Sequence, residues 1–258
     1  MQTSRGTKIN QLIQTWPNGT IKDASELATL QVNSSLARNY IRQGWLVSVG
    51  RGVYAKAHDK LSWLGGLHQL QSSQLPIHAG GRTALELQGH VHYISSQERD
   101  SFLFAPPKTK LPAWFKNYDW KQKIIFTMTS LLAQSNEASF TEHDVGTFKV
   151  KISAPERAIL ELLHHVPQKI SFDEAKQIMQ GLGTLRPALM QTLLEQCNSI
   201  KVKRLFLFLA KDANHRWLTH LSRQNINLGS GKREIVKNGM LDKEFNITVP
   251  RDHDGELF

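Results

Sequence analysis

Apolar residues near the amino end recur every three or four positions, which is the spacing of the buried face of a helix. The first series consists of Ile9, Leu12, Ile13 and Trp16. The turn signal Pro17-Asn18-Gly19 ends it. A second helix is predicted after Asp23, because Glu26 follows three residues later as in a capping box. A third is predicted between Asn33, a favoured N-cap residue, and Gly44, a favoured stop residue.

The third predicted helix, SSLARNYIRQ, has one apolar face and one polar face. Its inward face carries Leu36, Ala37, Tyr40 and Ile41. The residues predicted to point outward together are Ser34, Ser35, Arg38, Asn39 and Arg42. Arginine can bind guanine with two hydrogen bonds and asparagine can bind adenine in the same way, while serine can contact bases or phosphates. The outward face has no acidic residue, and it therefore suits the major groove of DNA.

Strand-forming residues follow in the segment WLVSVGRGVYAKA, where Gly50-Arg51-Gly52 predicts a tight turn with a basic tip. Three helices followed by such a hairpin predict a winged helix-turn-helix over residues 1–58. In that arrangement the third helix enters the major groove, and Arg51 and Lys56 would contact phosphate groups. The alternative is a winged helix that binds protein only, or that docks on the rest of the chain.

The remaining pattern mixes strands and helices. Residues 59–92 predict a helical and strand extension of the N-terminal region, and residues 93–258 predict a larger mixed domain. The predicted strands are Val91–Ile94, Ser101–Phe104, Ile124–Met128 and Phe148–Ile152. The Pro- and Lys-rich segment 105–113 predicts a long loop or linker. The fold class is therefore α+β, with an N-terminal winged helix-turn-helix followed by a larger mixed α+β domain.

Charge supports the DNA-binding interpretation. The chain has 258 residues and a formal net charge of +10. Residues 1–58 hold seven Lys and Arg but only two Asp and Glu, so half of the excess lies in less than a quarter of the chain. A basic segment that also contains a DNA-reading element favours nucleic acid as the partner. No apolar run reaches the ~18–20 residues of a membrane span, and the amino end lacks the apolar block of a signal peptide, so we expect a cytoplasmic protein.

Patterns typical of catalysis or metal binding are weak. Cys197, the only cysteine, is predicted to be a small core residue, and the His residues are predicted to be structural. The segments considered are Gly80-Gly81-Arg82, His90-x-His92, His164-His165 and Gly229-Ser230-Gly231-Lys232. The first could bind an anion, although a close-packing turn is favoured, and the last lacks the first glycine of a Walker A motif. We predict no enzyme, no cofactor and no metal site; the alternative is a nuclease whose acidic residues come together from distant strands.

Several segments together resemble the AbiEi family of antitoxins. They are KINQLIQTWPNGT, SSLARNYIRQGWL, GRGVYAKA, GGRTALELQGHVHYI, APERAILELL, INLGSGKR and NITVP. The resemblance implies a bacterial type IV toxin–antitoxin system of the abortive-infection kind, active in phage defence. It implies repression of its own operon at inverted repeats in the promoter. It also implies neutralisation of a nucleotidyltransferase-like toxin without a stable complex.

The resemblance also implies that the two domains have different roles. It implies that the residues from about 93 onward carry the antitoxin activity, for which no residues are named. The residues that it aligns with DNA contacts are Ser34, Ser35, Arg38, Asn39, Arg42, Arg51 and Lys56.

Overall fold

The computed structural model describes residues 5–91, 100–133 and 136–251. Its amino-terminal unit has helices α1 (Arg5–Thr15), α2 (Ala24–Thr29) and α3 (Ser34–Arg42). Strands β1 (Lys22–Asp23), β2 (Leu46–Gly50) and β3 (Val53–Lys56) form an antiparallel sheet in the order β1-β3-β2. The order of elements is that of the predicted winged helix-turn-helix, and the β2–β3 hairpin is its wing.

Local capping explains where α2 and α3 begin. The side chain of Asp23 accepts a hydrogen bond from the Glu26 amide at 2.9 Å, and the Glu26 carboxylate accepts one from the Asp23 amide. Asn33 Oδ1 accepts a hydrogen bond from the Leu36 amide at 2.9 Å. These side chains satisfy amide groups that have no partner within the first helical turn. Both predicted N-caps are confirmed.

The larger part of the chain is built on a five-stranded sheet with the order β6-β5-β4-β8-β7. Its strands are β4 (His78–Ala79), β5 (Ser101–Ala105), β6 (Ile124–Met128), β7 (Phe140–Asp144) and β8 (Lys149–Ser153). The central strand β4 runs antiparallel to β5 and parallel to β8. Because β4 belongs to the segment 59–92, that segment contributes the middle of the larger sheet. The α+β fold class is confirmed.

Helices surround this sheet, and a small sheet follows them. The helices are α4 (Trp63–Ser72), α5 (Gly81–Leu87), α6 (Ala113–Asn117), α7 (Pro155–His164), α8 (Phe172–Gln180), α9 (Pro187–Gln196) and α10 (Ile200–Asp212). Strands β9 (Arg233–Glu234), β10 (Met240–Asp242) and β11 (Ile247–Val249) form the small sheet in the order β10-β11-β9. Cys197 is buried as predicted.

Three predicted strands are confirmed as β5, β6 and β8 within about one residue of their bounds. The predicted strand Val91–Ile94 lies outside the described residues except for Val91, which is not in a strand. The edge strand β7 was missed, because its sequence FTEHD is polar and lacks a buried alternating face.

The winged helix and the larger domain pack against each other. One core cluster joins Ile21, Val49 and Val53 of the winged helix to apolar residues of the larger domain such as Trp63. The contact is close at Gly65, where an added Cβ would lie only 1.9 Å from the Gly19 carbonyl oxygen. The position of the wing therefore depends on the larger domain as well as on α1–α3.

Candidate DNA-binding surface

Helix α3 presents the predicted polar face. Ser34, Ser35, Arg38 and Arg42 are exposed, and Asn39 is half-buried. The opposite face is fixed by Ala37 and Tyr40, which are buried in the core of the amino-terminal unit. Since the apolar face is buried, the orientation of the polar face is determined. The structure thus brings these five residues onto one face of one helix.

The guanidinium of Arg38 lies along the first turn of α3. Its Nε donates a hydrogen bond to the Ser34 carbonyl at 3.3 Å, and Nη2 donates one to Ser35 Oγ at 3.4 Å. Both distances are long for hydrogen bonds from nitrogen donors to oxygen. No carboxylate of the described residues forms an ion pair with Arg38 or Arg42. Both positive charges are therefore available to an anionic partner.

Arg51 lies at the tip of the wing and is exposed. The next residue, Gly52, has a φ of +72°, a conformation in which glycine lacks the steric cost of a side chain. The Gly52 carbonyl accepts a hydrogen bond from the Ala24 amide at 2.8 Å, which ties the tip to the start of α2. Arg51, like the arginines of α3, has no carboxylate partner among the residues that the structure describes.

Lys56 does not lie on this surface, so the prediction that it contacts phosphate is wrong. Its side chain is buried, and Nζ donates hydrogen bonds to the Trp16 carbonyl at 2.9 Å and to Asn18 Oδ1. The carboxylate of Asp59 lies 3.7 Å from the same nitrogen and also accepts a hydrogen bond from the Gly19 amide. Lys56 therefore joins the end of α1 to the start of the larger domain.

Three exposed lysines lie on α6 and on the segment that leads into it, and for residues 105–113 the sequence predicts only a loop or linker. Lys108, Lys110 and Lys116 are exposed and form no ion pair with a described carboxylate. Helix α6, which contains Lys116, packs on β2. The sequence shows three lysines without an acidic residue in APPKTKLPAWFK, but the packing of α6 on the wing depends on tertiary contacts.

At Gly80-Gly81-Arg82, where an anion site was the alternative to a close-packing turn, a side chain of the protein itself occupies the start of α5. Glu161 Oε2 accepts a hydrogen bond from the Gly81 amide at 3.1 Å, and an added Cβ on Gly80 would lie 2.1 Å from this oxygen. Arg82 forms an ion pair with Glu174 at 2.9 Å. The glycines therefore allow close packing, which was the favoured interpretation.

Glu161 is the centre of a buried polar network. Its carboxylate lies 2.9 Å from His78 Nε2 and accepts hydrogen bonds from Arg157 Nε at 2.8 Å and Ser153 Oγ at 2.7 Å. Burial raises the pKa of this carboxyl group, but His78, Arg157 and Ser153 outweigh the effect and lower the pKa to about 2. Burial lowers the pKa of His78, so the imidazole is neutral at pH 7. Both carboxylate oxygens are therefore bonded to groups of the protein itself.

The remaining candidates for chemistry are also occupied or scattered. Arg204 donates hydrogen bonds to the carbonyls of Leu228, Gly229 and Gly231, so the segment 229–232 directs carbonyl oxygens at a guanidinium. A phosphate loop would instead direct amide groups at its ligand.

In the described parts of the chain no three His, Cys, Asp or Glu residues lie close enough to hold a metal ion. His92 of the His90-x-His92 pair lies outside the described residues. None of the helices described could span a membrane.

Comparisons with known proteins agree with this architecture. The model of the AbiEi antitoxin N-terminal domain, described as a transcriptional regulator, matches residues 5–96. A second model, described as a transcriptional regulator, AbiEi antitoxin of a type IV TA system, matches residues 98–250. The crystal structure of the RV2827C protein from Mycobacterium tuberculosis is similar with a TM-score of 0.64 and 12% sequence identity, covering 93% of this chain and 88% of that one. That likeness shows a shared fold.

A comparison with curated proteins finds no match. The family assignment therefore rests on the two family models, which between them cover almost the whole described chain. The chain belongs to the AbiEi antitoxins, the transcriptional regulators of type IV toxin–antitoxin systems.

Proposed function

We propose that this protein represses its own promoter by binding inverted repeats through α3 and the wing. The observation that carries the proposal is the exposed, acid-free face of α3, where Arg38 and Arg42 have no carboxylate partner among the described residues. A buried cation would have a structural role. Two solvated arginines on one helix face, without carboxylate partners, instead suit the major groove.

The residues of this surface have different roles in the proposal. Arg38, Asn39 and Arg42 read base edges, because arginine and asparagine match guanine and adenine. Ser34 and Ser35 lie at the amino end of α3 and contact phosphate or bases. Arg51 contacts the backbone from the wing, and it contributes affinity without sequence information. Lys56 has no part in the surface, because it is buried.

The second part of the proposal concerns the larger domain. We propose that it counteracts a nucleotidyltransferase-like toxin without a stable complex, inside the cytoplasm, and that the protein is not an enzyme. Membership of the antitoxin family supports this role. The hydrogen bonds that Glu161 accepts from Gly81, Ser153 and Arg157 favour a structural over a catalytic use of this buried carboxylate.

Promoter binding is tested by a gel-shift titration against the protein's own upstream region, with unrelated DNA of equal length and two salt concentrations. We expect stepwise, salt-sensitive shifts of the upstream region at protein concentrations that leave the unrelated DNA unshifted. The Arg38→Ala variant should lose about 1–3 kcal/mol of specific binding energy. Lys169→Ala is the matched control, since Lys169 is exposed on the loop between α7 and α8. Equal binding to both DNAs would instead indicate a charge patch or a protein-binding winged helix.

Toxin neutralisation is tested separately by co-expression with the toxin from the same operon. The Arg38→Ala, Arg42→Ala double variant should still restore growth when expressed from a foreign promoter, because both side chains lie outside the larger domain. Loss of neutralisation in this variant would contradict the division of roles. Cleavage of nucleic acid by the purified protein would favour the nuclease alternative.

A further inference from the structure

The tip of the wing is held from two sides. On one side, the Ala24 amide donates a hydrogen bond to the Gly52 carbonyl at 2.8 Å. On the other side, Gly50 lies directly against Trp114 of α6. Arg51 stands between these two glycines in the sequence. The position of its backbone is therefore set jointly by α2 and by a helix of the larger domain.

The contact between Gly50 and Trp114 has no space for a side chain. A Cβ added to Gly50 would lie 2.5 Å from the Trp114 Cβ and 3.2 Å from its Cα. The pairing of β2 with β3 shifts register between Ser48 and Gly50, so the strand bends just before this contact. Val49, which lies within the bend, is buried in the core cluster shared with the larger domain. The end of β2 is thus packed on the larger domain.

Trp114 is itself fixed by aromatic neighbours. We call Trp114, Phe115 and Trp120 the aromatic brace. The Trp114 ring centroid lies 5.5 Å from that of Phe115 and 6.4 Å from that of Trp120, both in edge-on geometry. Trp120 Nε1 donates a hydrogen bond to the Phe115 carbonyl at 2.8 Å, and both of these residues are buried. Aromatic pairs in this geometry attract each other beyond the area they bury.

The aromatic brace is anchored to the main body of the larger domain at α4. A Cβ added to Gly66 would lie 2.6 Å from Trp120 and 2.8 Å from Phe115, so the two rings pack directly on the helix backbone. Helix α4 in turn packs on β8 of the five-stranded sheet. A continuous packed path therefore runs from the sheet through α4 and the aromatic brace to Gly50.

We propose that Trp114 is a positioning residue for DNA binding: it holds the end of β2 so that Arg51 meets the DNA backbone while α3 occupies the major groove. The proposal rests on the proposed DNA-binding function and adds a role for the larger domain in it. A charge held in place before binding loses less conformational freedom on binding, which increases affinity. Without Trp114 the end of β2 loses the contact between Gly50 and α6 that lies next to Arg51.

The test is a double-mutant cycle between Trp114 and Arg51, measured as affinity for the promoter fragment. If Trp114 acts through Arg51, Trp114→Ala and Arg51→Ala each weaken binding by about fivefold, and the double variant is also weakened by about fivefold. Independent contributions would multiply to about 25-fold. The parallel cycle with Arg38→Ala should be multiplicative, because Arg38 is on α3 and has its own contacts.

Further variants separate positioning from general instability. Trp114→Phe keeps the Cβ and an aromatic ring against Gly50, and it should restore most of the affinity. Gly50→Ala disturbs the same contact without removing a buried side chain, and it should reproduce Trp114→Ala. Trp217→Ala is the control, because Trp217 is a buried tryptophan that packs on His215 elsewhere in the larger domain. It should lower the melting temperature without coupling to Arg51.

Each outcome decides the proposal. A double variant weakened by about 25-fold overturns it while leaving the DNA-binding function intact. Coupling between Trp217 and Arg51 of the same size as that for Trp114 also overturns it, since general destabilisation would then explain the effect. If the wild-type protein shows no preference for its promoter, the proposed function fails first, and this inference fails with it.

Discussion

Glu161 Oε2 accepts a hydrogen bond from the backbone amide of Gly81, 80 positions earlier in the chain, at 3.1 Å. The carboxylate thus occupies the start of α5, where a bound anion would otherwise be favoured by the free amide groups. Its other oxygen lies 2.9 Å from His78 and accepts a hydrogen bond from Arg157. One buried side chain therefore joins α5, α7 and the central strand β4.

Replacing Glu161 with alanine should destabilise the protein by about 3–5 kcal/mol, because Arg157 would remain as a buried charge without its partner. The measurement is equilibrium unfolding in urea. Glu142→Ala is the control. Glu142 is exposed on the edge strand β7 and pairs with Lys149 of β8, so its removal should leave the midpoint almost unchanged. A small effect of Glu161→Ala would mean that solvent reaches the network.

The lowered pKa of His165 predicts that the folded protein loses stability in mild acid. Burial, together with the charges of His164, Lys169 and Lys201, lowers the pKa of this imidazole to about 4 against the opposing effect of Glu161. The unfolded state binds the proton near pH 6.5. Since the folded pKa is the lower one, the stabilisation is complete above pH 6.5 and is lost as pH falls towards 4.

The measurement is the free energy of unfolding at several pH values between 7 and 4. One such histidine contributes a slope of at most about 1.4 kcal/mol per pH unit. His165→Asn keeps a polar group near Thr127, whose Oγ1 lies 3.0 Å from Nε2, but it cannot titrate. We expect the variant to flatten the slope. An unchanged slope would show that other groups, such as His78 and His164, cause the acid sensitivity.

Contacts between near neighbours could be predicted from the sequence, whereas contacts between distant residues could not. The caps Asp23 and Asn33 belong to the first kind, since each contacts an amide three residues away. Lys56 belongs to the second, because its partners Trp16 and Asn18 are 40 and 38 residues distant. A lysine at the end of a basic hairpin looks the same in sequence whether it faces DNA or an internal carbonyl.

The candidate site follows the same rule. The outward orientation of the polar residues of α3 could be predicted, because helical spacing alone decides which residues share a face. The closeness of Gly50 to Trp114 had no sequence signal, since glycine also suits the tight turn that follows it. A contact between a glycine and a distant side chain can be recognised only when the packing partner is known.

Lys56 and Arg51 should therefore behave differently when each is replaced. Lys56→Met removes the ammonium group that donates hydrogen bonds to Trp16 and Asn18. It should lower the free energy of unfolding by about 2–3 kcal/mol. Where the protein remains folded, we expect its promoter affinity to be near that of wild type. Arg51→Ala should do the opposite: it should weaken binding to all sequences and leave the melting temperature unchanged. Thermal unfolding and anisotropy titrations below the melting temperature distinguish the two.

The lysines beside the wing should extend the contact with DNA onto the larger domain. Lys108, Lys110 and Lys116 are exposed, and α6 packs on β2, so a duplex that follows the wing passes near them. Replacing all three with alanine should weaken promoter and unrelated DNA alike. The slope of log affinity against log salt should fall by about 0.9 for each phosphate group that the variant no longer neutralises.

The matched control for this variant removes three other exposed lysines of the larger domain, Lys169, Lys232 and Lys237. Both triple variants change the net charge by the same amount, so a general effect of charge on binding would be equal in the two. We expect a reduced salt slope only for the variant beside the wing, because neutralising a phosphate requires a lysine close to the duplex. If both triple variants kept the salt slope of the wild-type protein, the interface would be limited to α3 and the wing. A larger effect of the control variant would place the duplex near Lys169, Lys232 or Lys237 and contradict the prediction.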